Sequence, residues 1–175
     1  MELLNFTAFG EVIAVVATVA TLAYLAMQIR LSNKLAVSAI EHQLNTRVYD
    51  RRFETARDDH FCEFLSKDWG SENLTRMEKT KVAQYVTMLI IDAREVFFQD
   101  KLGFVSEHLL QARVDVLKRG IMNNDISKSV WFTYRKLVDP DFASFFEKEI
   151  YPDGLSPEVE SAHPLTKPGK KLDQP

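Results

Sequence analysis

Asp92 and Glu95 come nearest to chemistry by type and spacing. They lie three residues apart in RMEKTKVAQYVTMLIIDAREVFFQDK, on a helical face shared with Tyr85 and Met88. Carboxylates in apolar surroundings must be neutralised, paired or bound to a cation. Held in a pocket with raised pKa values, such a pair is a catalytic acid and base. Met by arginines from another helix, it becomes a set of ion pairs that fixes helix register. Arg94 is adjacent in sequence but projects elsewhere, which leaves Arg51, Arg52 and Arg113 as candidate partners. The ion-pair outcome is the expected one, and the catalytic pair is its alternative.

His60, Cys62 and Glu63 form the nearest thing to a metal cluster, with His60 and Glu63 on one helix face. Three mixed ligands do not make a recognised site. His42, His60, His108 and His163 are too scattered to pair at helical spacing, and there is no HExxH, CxxC or Glu-x-x-His repeat. Cys62 then reads as a small hydrophobe near a core. GxSxG, Walker A and GxGxxG motifs are also missing, so nucleophile, phosphate and dinucleotide sites lack their usual signatures. No metal and no cofactor is expected, and no motif names a reaction.

Glu11 is the only charged residue in the stretch FTAFGEVIAVVATVATLAYLAM, Phe6 to Met27. At about 1.5 Å of rise per residue, a helix of that length crosses a bilayer core of roughly 30 Å. We expect a transmembrane helix. A cleavable signal peptide would want a basic leading region and a shorter apolar core. An intramembrane carboxylate invites a pore or ion-site reading; in the first turns of a helix, near the headgroups, the helix dipole supplies a blander one. Gly10, Ala14, Ala17 and Thr21 recur at gaps of four, three and four. Small residues on one face let helices pack closely in lipid, and they mark an oligomerisation face.

Arg30, Lys34, Arg47, Arg51 and Arg52 follow this stretch, whereas Glu2 and Glu11 accompany it with no Lys or Arg on the N-terminal side. The positive-inside rule places the following domain in the cytoplasm and the N-terminus outside. The single cysteine, which rules out an intramolecular disulfide, is compatible with that compartment. A net charge of −3 argues against the positive field that nucleic-acid binding needs.

The elements that position these residues are read as helices throughout, with no alternating strand and no internal repeat. Neither proline nor glycine occurs between Glu11 and Trp69, so the first helix continues past Arg30 as one long helix or two nearly collinear ones, with Ser32 and Asn33 the only excuse for a bend. Val37, Ile40, Leu44, Val48 and Phe53 keep helical spacing. Asp58 or Asp59 caps a short helix, HFCEFLSKDW, ended by Gly70. Thr75 with Glu78 forms a capping box that opens the strongest helix, about Arg76 to Lys101, stopped by Gly103. Ser106 caps EHLLQARVDVLKR, closed by Gly120; Asp125 or Ser127 starts a helix through Trp131, Tyr134 and Val138. Asp139 with Pro140 starts the last, which carries Phe142, Phe145 and Phe146. Five of the six prolines lie beyond Tyr151, giving a tail disordered by composition. The expected organisation is all-α: residues 1–29 the anchor, 30–150 a compact helical bundle, 151–175 the tail.

The junction YLAMQIRLSNK resembles the YLAxQIRxxN-type junction of uncharacterised bacterial single-pass membrane proteins that carry a helical domain of this size. Arg94, Glu95, Phe97, Phe98, Gln99 and Gly103 match a later helix of that family, and Trp131 with DPDFASFF matches its last. Asp92 departs from it, standing where an apolar or basic residue is expected. The resemblance implies architecture and no activity. The function expected is therefore non-enzymatic: a membrane-anchored interaction or scaffold module, homo-oligomeric, with the lipid bilayer and an unidentified protein as partners. A homo-oligomeric channel or transport accessory subunit, with Glu11, Thr18 and Thr21 lining an axial path, is the alternative. A membrane-bound enzyme using Asp92, Glu95 and His60 is the third.

Overall fold

In a computed structural model, residues 2–71 and 73–155 are described, with side chains from residue 9 onward. Among these residues the protein is all-α, with six α-helices and no strand. The expected tail lies outside the described residues except for 151–155, where the chain turns at Gly154.

Helix α1 is Glu2–Arg57 and runs through Ser32 and Asn33 as a single helix. The chain divides into two units, Met1–Gln43 and Leu44–Pro175. The boundary falls later than the end of the apolar stretch, at Leu44, the first buried residue among the described side chains of α1. In the first unit an 18-residue window has a mean hydropathy of 2.1 and is 0% buried, so this helix is long and apolar enough to cross a membrane.

The second unit begins with the α1 turns from Leu44 and continues with α2 (Asp59–Leu65), α3 (Arg76–Lys101), α4 (Glu107–Lys118), a 3-10 turn at Ile121–Asn123, α5 (Asp125–Tyr134) and α6 (Pro140–Ile150). Its core is aromatic. Trp131 stacks on Phe146 at 4.0 Å between ring centroids, and Phe97 meets Phe142 at 5.4 Å and Phe145 at 4.9 Å. The indole Nε1–H of Trp131 donates to Glu147, which also pairs with Arg135, so the buried polar tip is satisfied.

Local chemistry sets the helix ends. Asp58 caps α2 by accepting from the Phe61 amide. The Thr75–Glu78 capping box is complete, each side chain bonding the other residue's backbone. Gly103, at φ +72, follows the last turn of α3 in the left-handed conformation that glycine takes without strain.

Two ends differ from the sequence expectation. Helix α2 stops at Leu65, short of Gly70, where the Lys67 amide donates to the Phe64 carbonyl three residues back and Trp69 folds over to stack on Phe64 at 6.0 Å. Asn124, rather than Asp125 or Ser127, caps α5 by accepting from the Ser127 amide, and α5 ends at Tyr134, leaving Val138 outside it. The reversal at Gly120, φ +119, and the 3-10 turn after it bring Asn124 to the cap position.

Candidate functional site

Asp92 lies near the middle of α3 on the side facing α4 and the Leu44–Arg57 turns of α1. Its carboxylate is 8% exposed and sits between two guanidinium groups. Arg51 Nη2 is 3.5 Å from one oxygen, and Arg113 Nε is 3.2 Å from the other. Arg113 also donates through Nη2 to the Asn45 side-chain oxygen at 3.1 Å, which ties α4 to α1. One turn along α3, Glu95 accepts from Arg47 at 2.6 Å in a half-exposed pair. The order of the pairs, Arg47 with Glu95 and Arg51 with Asp92, shows that these α1 turns run antiparallel to α3.

The two carboxylates therefore have different environments and separate partners. Asp92 is held by two arginines on two helices, and Glu95 by a third. Each is engaged as the anion of an ion pair, an arrangement that fixes helix register. Arg51 and Arg113 were among the three cations the sequence offered. Arg47 was not. Its signal was present, because Arg47 and Arg51 are four apart and Asp92 and Glu95 three apart, a spacing match that two antiparallel helices bring into contact. Arg94 points away, its guanidinium over the Phe98 ring at 5.0 Å.

A cavity of about 110 Å³ opens beside Asp92, walled by Arg51, Arg52, Tyr85, Asp92 and Arg113 together with aliphatic side chains of α1, α3 and α4. Tyr85 also lines a larger open groove of about 810 Å³ with Phe61, Met77, Lys81 and Met88. Phe61 and Trp69 each pack edge-to-face with Tyr85 at 5.8 Å, and Phe61 of α2 completes a groove otherwise lined by α3. Nothing in the sequence marked it, since it arises where α2 crosses α3.

The other candidate residues stand apart. His60 and Glu63 are exposed, and the Cys62 thiol donates to the Thr55 carbonyl at 3.1 Å. Among the described residues no group of three His, Cys, Asp or Glu side chains is placed to hold a metal ion. In the first unit Gly10, Glu11, Ala14, Ala17 and Thr21 all lie on the exposed helix surface. The hydroxyls of Thr18 and Thr21 donate to the carbonyls of Ala14 and Ala17 at 2.8 Å each, which satisfies them within their own helix.

Comparison with protein-family models, curated proteins and solved structures returns no match.

Proposed function

We propose that this protein is a membrane-anchored interaction module, with no enzymatic role, held in a bacterial inner membrane by the first part of α1. The observation that carries the reading is the apolar surface of that helix. Val12, Val15, Val19, Leu22 and Leu25 are exposed around it, and an uncovered apolar surface of this length is matched by lipid. The Arg and Lys residues from Arg30 onward orient the second unit to the cytoplasm. The Gly10, Ala14, Ala17 and Thr21 face pairs with the same face of a second copy. Self-bonded threonine hydroxyls suit close packing better than a water-filled path.

The groove beside Tyr85 gives the second unit its partner surface. Its apolar lining includes the flexible, exposed Met77 and Met88, and Arg76 and Lys81 are its charged residues. The occupant that fits is a helix with an apolar face and acidic flanks.

The test is the mass of the full-length protein in a mild detergent, corrected for bound detergent, with and without Ala14→Phe and Ala17→Phe. A dimer or higher oligomer that dissociates on substitution is expected. A monomer that the substitutions leave unchanged overturns the self-association.

A further inference from the structure

We propose that the cavity beside Asp92 binds a small oxyanion of phosphate size. Three guanidinium groups, Arg51, Arg52 and Arg113, face it against one carboxylate, Asp92, because Glu95 is taken by Arg47. Arg52 is exposed at the rim, so the buried part of the wall, Arg51 and Arg113 against Asp92, carries a formal surplus of one positive charge. Arg51 and Arg113 are only 19% and 14% exposed at their side chains, so water screens this surplus poorly. Buried charge without a counter-charge is costly, and an anion that neutralises it binds where it lies.

The donor geometry points the same way. Two guanidinium groups bring about ten N–H donors to a carboxylate that accepts about four. The Nε of Arg113 stands 3.2 Å from Asp92 without the alignment of a hydrogen bond, so its N–H is open to a better acceptor. Planar guanidinium forks match the oxygens of phosphate, sulfate or a carboxylate two at a time. A cavity of about 110 Å³ takes one such ion and excludes a nucleotide. Tyr85 offers a phenol on the same wall.

The site is independent of the membrane reading, and it is tested on the full-length protein in detergent. Thermal unfolding and titration calorimetry are run with inorganic phosphate, sulfate and acetate against chloride at equal ionic strength. Saturable stabilisation by phosphate or sulfate beyond that of chloride is expected. Arg52→Gln, at the exposed rim, weakens binding about tenfold without loss of fold, and Arg113→Gln abolishes it. Asp92→Asn removes the competing internal anion and tightens binding about tenfold. A response no greater than that of chloride overturns the proposal. So does binding that survives both arginine substitutions, which places the anion elsewhere.

Discussion

Replacing Asp92 by Asn separates the buried ion cluster from the surface pair next to it. The substitution keeps size and shape but leaves Arg51 and Arg113 facing each other without their anion. Breaking a buried pair from one side costs about 3–5 kcal/mol. The side chains here are 8%, 19% and 14% exposed, which places the loss near the lower end, at about 3 kcal/mol. For a domain of this size, that corresponds to a fall in Tm of about 10–15 °C. Glu95→Gln removes a pair whose side chains are 47% and 37% exposed, and such surface pairs contribute about 0–1 kcal/mol, or at most a few degrees. The assay is thermal unfolding followed by near-ultraviolet circular dichroism, because Trp131 is fully buried against Phe146 and reports packing of the second unit rather than the helicity of α1. Equal shifts for the two variants, or an Asp92→Asn protein as stable as the parent, would refute the argument that Asp92 holds α1, α3 and α4 together.

Phe146→Ala removes the ring stacked on Trp131 and lowers stability by about 3–5 kcal/mol, measured by urea unfolding. Thr75→Ala deletes the cap of α3 and costs about 1 kcal/mol in the same assay. Hydrogen bonds from Lys67 and then Thr75 lower the Glu78 pKa from 4.5 to about 2. Its contribution is thus fully present above pH 4.5 and is lost as pH falls toward 2. Glu78→Gln is accordingly less stable than the parent at neutral pH, and the Tm difference closes across that interval in a pH series.

The helices were legible from caps and spacing: the Thr75–Glu78 box, Asp139 with Pro140, and the run without proline or glycine from Glu11 to Trp69 all act locally. Ends set by side chains folding back were not. Trp69 closes α2 by folding back on Phe64, a contact that no cap rule anticipates, and Asn124 was hidden behind two other capping residues. The site was partly legible for the same physical reason. A carboxylate inside an apolar helix face announces that it needs a partner, so Asp92 and Glu95 stood out. Which arginine meets which carboxylate depends on the antiparallel packing of α1 on α3, and Arg47 became visible only there. The cavity forms only where α1, α3 and α4 bring Arg51, Asp92 and Arg113 together, and the groove only where Phe61 of α2 meets α3.

The central claim is that the first part of α1 lies in a membrane. Its most direct test is alkaline carbonate extraction of membranes from cells that produce the full-length chain. The account predicts that the protein stays in the membrane pellet and that Val15→Asp with Val19→Asp moves it to the supernatant. A parent protein that carbonate releases as a folded, soluble species would contradict it.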